Sequence, residues 1–235
     1  RTCRKPFPGT ALRRGAGVSQ ALKAAAFASG GGTNLQALID HQSPTTPWTL
    51  SLLVCNHDGA GALQRAEAAG VTAAVIPTKD REPADLGRET LELLEQHDIE
   101  VIFLSGYLRK IPTEVLERFP RRILNVHPAL LPAFGGKGMY GMNVHRAVID
   151  SGARISGPTV HYVDEEYDEG TIVAQWPVPL KPSDTPEELA ARVLRAEHRL
   201  YPLAADHVCS ALAEGRDPGP LTCKGEVYRL SDAGL

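Results

Sequence analysis

Short apolar runs alternate with stretches of helical periodicity over the first half of the chain, a pattern that predicts βαβ units building a mostly parallel sheet. Strands are expected near Lys23–Ala28, Thr49–Cys55, Ala73–Ile76, Glu100–Leu104 and Arg122–Val126, with helices between them near Asn34–Asp40, Ala60–Ala69 and Ala84–His97. From Gly157 the period becomes two. In GPTVHYVDEEYDEGTIVAQWPVPL a polar turn, Asp164–Gly170, separates two strand patterns, so an antiparallel hairpin should join the parallel sheet. A long last helix should open at Thr185-Pro186-Glu187-Glu188, a capping box with proline in the first turn, and end at Gly215, with Pro202 kinking or splitting it. The fold class is therefore α/β: a mostly parallel, doubly wound, Rossmann-like sheet with a C-terminal antiparallel hairpin and a long C-terminal helix.

Bulk properties narrow the setting. A chain of 235 residues that is 43% hydrophobic can bury a substantial core, and no internal repeat or linker divides it. One domain over residues 23–235 is expected, preceded by a flexible N-terminal extension over residues 1–22. That extension is basic and rich in Gly and Pro, without a signal peptide's apolar core or a transit peptide's acid-free amphipathic helix. The absence of an initiator Met fits an incomplete start. A net charge of -3 gives no electrostatic case for nucleic acid, and no apolar run approaches the roughly 18 residues of a membrane span. Cys3, Cys55, Cys209 and Cys223 form no CxxC pair, so neither a zinc site nor a disulfide framework is indicated, and a reducing, cytoplasmic compartment is expected.

Two places carry chemistry. Gly30-Gly31-Gly32 follows an apolar strand and precedes Thr33-Asn34-Leu35-Gln36, which has the form of another capping box. Strand, glycine turn and helix start together make an anion site, because free N–H groups and the helix dipole favour a phosphate that glycines let approach. Neither the P-loop ending nor the dinucleotide fingerprint is present, and a tight turn without a ligand is the plainer alternative.

The second place is ILNVHPALLP. Asn125 and His127 lie two apart at the carboxyl end of a strand, so both can face one cleft at the sheet edge where open α/β sheets bind ligands. An amide NH2 beside an imidazole suits acyl transfer: one donates to a developing oxyanion, the other moves a proton or, when charged, holds the same oxygen. A carboxylate would fix the histidine's tautomer and raise its pKa, and the turn DEEYDEG offers Asp164, Glu165, Glu166, Asp168 and Glu169 without choosing among them. A capped structural histidine is the alternative. Neither GxSxG nor HExxH is present, so the nucleophile is expected to come with the substrate.

Four motifs in order, SGGGTNLQALI, NVHPALLPAF, SGPTVHYVDEEYDEGTIVAQ and RAEHRLYP, resemble the phosphoribosylglycinamide formyltransferases, folate-dependent enzymes of purine biosynthesis, from about Lys23 to Tyr201. The resemblance implies transfer of a formyl group from 10-formyltetrahydrofolate to the amine of glycinamide ribonucleotide by a monomer or homodimer without a metal. It implies that Asn125, His127 and Asp168 are the catalytic trio, with Asn125 and a protonated His127 stabilising the oxyanion while Asp168 holds the imidazole and a proton-relaying water. It implies that Gly31, Gly32, Thr33 and Asn34 hold the nucleotide's phosphate and that Glu197 contacts the same substrate. Leu108, Arg109, Lys110 and Ile111 would line the folate pocket with Asp164 and Glu165, and Arg81 would lie near the folate's glutamate end. His161 is expected to be structural or supporting, His145 a helix-start residue, and His198 a packing or capping one. The segment AFGGKGMYGMNVH is longer than its counterpart in many relatives, and Lys137 or Tyr140 within it is placed to touch a substrate. A formyltetrahydrofolate deformylase and a non-catalytic folate- or nucleotide-binding protein are the competing functions.

Overall fold

The computed structural model describes residues 21–221, so most of the expected extension lies outside it. Five strands run parallel: β1 (Leu22–Ala28), β2 (Trp48–Cys55), β3 (Thr72–Val75), β4 (Val101–Leu104) and β5 (Ile123–His127). The short β6 (Ile155–Ser156) leaves this sheet and pairs with β9 (Val178–Pro179). Between them, β7 (Thr159–Tyr162) and β8 (Ile172–Gln175) add an antiparallel edge, giving the order β3-β2-β1-β4-β5-β7-β8. The helices are α1 (Thr33–His41), α2 (Gly61–Ala68), α3 (Pro83–Gln96), α4 (Thr113–Arg118), α5 (Met142–Asp150) and α6 (Pro186–Ala213). The predicted strands and helices recur within a residue or two; α4, α5 and the β6–β9 pair had no predicted range, and α4, at six residues, is too short to show a period.

Alternation along each strand assigns the two faces. Ala24, Ala26, Phe103 and Leu124 pack under α1, α2 and α6, whereas Phe27, Leu52, Ile102 and Ile123 pack under α3 and α4. β1 is central, and its alanines let helices approach the sheet closely from both sides.

α6 keeps the predicted capping box, in which Thr185 Oγ1 accepts from the Glu188 N–H and Glu188 accepts from the Thr185 N–H. It runs unbroken through Pro202, so of the expected kink or split the split does not occur. A proline inside a helix costs about 3 kcal/mol, but α6 buries Leu189, Val193, Leu200, Tyr201 and Val208 on one stripe, each worth roughly 1.5–3 kcal/mol, so the packed stripe wins. The second expected box does not form. Gly32 is the N-cap of α1 in the left-handed region, at φ 70°, no side chain caps the helix, and Gln36 turns to Asp40 and Arg65 instead. A left-handed cap suits glycine, and a Cβ here would lie 2.8 Å from Ala62 Cα.

Candidate active site

β5 ends one residue later than its apolar pattern suggested, with His127 as its last member. Asn125 and His127 therefore project from the same face of a strand at the carboxyl edge of the sheet, into a cavity of about 600 Å3. β7 runs antiparallel beside β5 and sets His161 opposite Asn125 and Thr159 opposite His127. The turn between β7 and β8 brings Asp168 over both histidines: Asp168 Oδ2 lies 3.4 Å from His127 Nδ1, and Oδ1 lies 3.6 Å from His161 Nε2. The Gly136 N–H donates to Asp168 Oδ2 at 2.9 Å. Gly135 permits that approach, because a Cβ there would stand 2.6 Å from Leu131 Cδ2 and 3.1 Å from Asp168 Cβ.

Hydrogen-bond direction fixes tautomers. The Tyr162 carbonyl can only accept, so His161 Nδ1 donates to it at 2.8 Å, and in the neutral ring Nε2 accepts from Asn125 Nδ2 at 3.1 Å. This sets which end of the Asn125 amide is nitrogen and leaves its second N–H on the cleft side. His127 Nε2 donates to the Phe134 carbonyl at 2.8 Å, which turns Nδ1 toward Asp168.

The titration of His127 runs opposite to expectation. Burial lowers its pKa below the ordinary imidazole range and outweighs the upward pull of Asp168 and the Phe134 carbonyl, with His161 adding a small downward push. At 3% exposure the loss of hydration exceeds what one carboxylate at 3.4 Å returns, which disfavours the charged ring in the ligand-free cleft. Burial would raise Asp168 as well, but His161, His127 and the Gly136 N–H together hold its carboxyl below the usual range.

Glu197 and Asn34 also line the cavity. Asn34 Nδ2 donates to Glu197 Oε2 at 2.6 Å, and burial pushes the Glu197 carboxyl up to about 7 despite that bond. Asn34 Oδ1 is buried without a partner, a polar atom available to a ligand. Gly31, Gly32 and Thr33 sit outside the cavity lining, at the turn between β1 and α1. Leu108, Arg109, Lys110 and Ile111, on the loop after β4, line the cavity, as do Asp164 and Glu165. Lys110 Nζ lies 6.0 Å from the centre of the Tyr167 ring across the mouth.

Arg81 lies outside the cavity lining, and its guanidinium pairs with Glu89 of α3. Two further histidines stand at the site, in the places expected of them. His161 touches both Asn125 and Asp168, and the signal for it is its cross-strand register with Asn125, which only the fold supplies. His145, in the first turn of α5, lines the cavity with Nδ1 buried and unpartnered, its pKa lowered by burial and by His127. Lys137 and Tyr140 of the long glycine loop also line the cavity. Among the described residues no cluster of three or more His, Cys, Asp or Glu side chains is placed to hold a metal ion.

With this geometry in place, likeness to other proteins becomes informative. A family model described as Formyl transferase matches residues 22–205. The chain is 46% identical over 200 residues to the chloroplastic phosphoribosylglycinamide formyltransferase of Arabidopsis thaliana, covering 84% of this chain and 68% of that protein. The chloroplastic counterpart of Vigna unguiculata is 44% identical, and the chain spans 64% of its length. The phosphoribosylglycinamide formyltransferase of Bacillus subtilis is 37% identical over 183 residues, 77% of this chain and 91% of that one. The crystal structure of phosphoribosylglycinamide formyltransferase from Brucella melitensis superposes with a TM-score of 0.75 at 39% identity, over 81% of this chain and 97% of that chain.

Proposed function

Because the chain belongs to the formyl transferase family, we propose that the cleft at the carboxyl ends of β4 and β5 is where it moves a formyl group from a formyl-folate to the amine of glycinamide ribonucleotide, a step of purine biosynthesis. The enzyme is a one-carbon transferase. We take the donor to be 10-formyltetrahydrofolate and the acting unit to be one domain from Leu22 onward. The observation that carries the reading is the convergence of Asn125, His127 and Asp168 on one cavity, with Asn34 and Glu197 also in its lining.

The chemistry follows from that arrangement. The neutral amine of the nucleotide attacks the formyl carbon, and the carbonyl oxygen takes up negative charge in a tetrahedral adduct. The free N–H of Asn125, held by His161, donates to that oxygen, and a fixed donor in a water-poor site costs little reorganisation as the charge appears. The attacking nitrogen must lose a proton and the folate nitrogen must gain one as its bond to the formyl carbon breaks. His127 enters neutral, with Asp168 beside Nδ1, so the pair takes the proton as imidazolium and carboxylate and returns it to the leaving nitrogen. Burial, which disfavours the imidazolium at rest, makes it a willing donor in the second half. The folate lies along Leu108 to Ile111 and the Asp164–Asp168 turn, and the nucleotide's phosphate lies on the N–H groups of Gly31, Gly32, Thr33 and Asn34 with Glu197 beneath.

Among the described residues no helix is long and apolar enough to cross a membrane. Cys55 and Cys209 are free and buried, which fits a reducing compartment. A deformylase or a non-catalytic binder is not favoured, since the relatives named above are transferases. A spectrophotometric transfer assay with 10-formyl-5,8-dideazafolate and glycinamide ribonucleotide, each omitted in turn, tests the proposal. Turnover should require both. Donor breakdown without the nucleotide would indicate a hydrolase instead.

A further inference from the structure

The glycine turn is braced from behind by α2. The Gly30 carbonyl accepts the Ala62 N–H at 3.1 Å, the Gly31 carbonyl accepts Arg65 Nε–H at 2.7 Å, and the Gly32 carbonyl accepts the Gln36 N–H at 2.9 Å. A trans peptide points its C=O and the following N–H in opposite directions. Anchoring these three carbonyls toward α2 and down the axis of α1 therefore turns the N–H groups of Gly31, Gly32 and Thr33 away from α2.

Two of the three anchors are backbone to backbone and any sequence supplies them. The middle one depends on a side chain, and it holds a peptide with glycine on both sides, where no Cβ restrains a flip. The guanidinium is itself fixed, because its Nη1 donates to Gln36 Oε1 at 3.0 Å. On its open side Arg65 borders a groove shared with Thr33, Asp40, His198 and Arg199, in which the two guanidinium charges outnumber the one carboxylate.

We propose that Arg65 is a positioning residue for the nucleotide's phosphate: it holds the Gly31–Gly32 peptide with its N–H outward and sets a positive charge behind the anion site. This rests on the phosphate reading given above. Arg65 touches the turn and not the reacting atoms, so its loss should weaken nucleotide binding and spare the chemistry.

The test compares the wild type with Arg65→Gln and Arg65→Lys in the two-substrate assay, using glycinamide ribonucleotide and its dephosphorylated nucleoside as alternative acceptors. For Arg65→Gln the KM for the nucleotide should rise roughly tenfold or more, as expected for one lost charge-assisted anchor, while kcat and the KM for the folate stay within about twofold. The preference for nucleotide over nucleoside should fall by the same factor. Arg65→Lys, which keeps the charge but cannot hold Gly31 and Gln36 together, should recover part of it. An unchanged KM, or equal losses with nucleotide and nucleoside, overturns the proposal. Should Arg65→Gln fail to fold, Gln36→Ala removes the guanidinium's second partner, along with an exposed bond to Asp40, and should show the same split at smaller size. Wild-type protein without turnover would sink the functional reading and this one with it; turnover in the wild type matched by Arg65→Gln would sink this one alone.

Discussion

Replacing Glu197 by Gln tests whether the substrate wall holds a carboxyl that resists ionisation. Glu197 is 7% exposed and its one described partner is Asn34 Nδ2 at 2.6 Å, which Gln can retain by accepting through Oε1. Burial raises the pKa from 4.5 to about 7. A carboxyl whose folded pKa lies above its unfolded one gives stability that is complete below 4.5 and lost as pH rises through 7, because between those values only the native state keeps the proton. The full loss is on the order of 3 kcal/mol, and between pH 5.5 and 8.5 about 2 kcal/mol of it should be observed. Urea unfolding of both proteins across that range gives the assay. Burial-lowered His127, His145 and His198 titrate with the opposite sign but are common to both proteins, so they cancel in the difference. The stability of Glu197→Gln relative to wild type should climb by about 2 kcal/mol with rising pH. A difference flat with pH would refute the argument that burial governs this carboxyl.

Asp168→Asn keeps an acceptor for the Gly136 N–H but removes the charge beside His127; kcat should fall on the order of 10²-fold, with the KM for the nucleotide nearly unchanged, in steady-state transfer assays. Tyr201 is fully buried, and its hydroxyl lies 3.0 Å from the Leu104 carbonyl and 2.9 Å from that of Leu124, tying α6 to β4 and β5. Tyr201→Phe should cost about 1–2 kcal/mol in urea unfolding without altering either KM.

Much of this was legible in the residues because it depends on local periodicity. The parallel strands, the hairpin and the capping box of α6 each leave a pattern within a dozen positions, and the spacing of Asn125 and His127 implied a shared face. What escaped depends on distant partners. His161 meets Asn125 only through the β5–β7 register, and Arg65 meets Gly31 only because α2 packs behind the turn. The pull on His127 in the ligand-free cleft was not legible because it balances a near carboxylate against burial, and burial is a property of the assembled cleft. That Pro202 does not split α6 has a related reason, since the breaker is local and the stripe that overrides it belongs to the tertiary core. Arg81 was placed by alignment alone, while its ion pair with Glu89 was not visible in a motif.

The central claim is that an amide N–H at Asn125 stabilises charge on the formyl oxygen, and single-turnover transfer by Asn125→Ala measures it most directly. With both substrates saturating, the rate should fall roughly 10²- to 10³-fold, the effect of one lost oxyanion donor, while the folate's Kd changes by no more than about twofold. A rate close to wild type would contradict the account, because no other proposed interaction at Asn125 acts on the transition state.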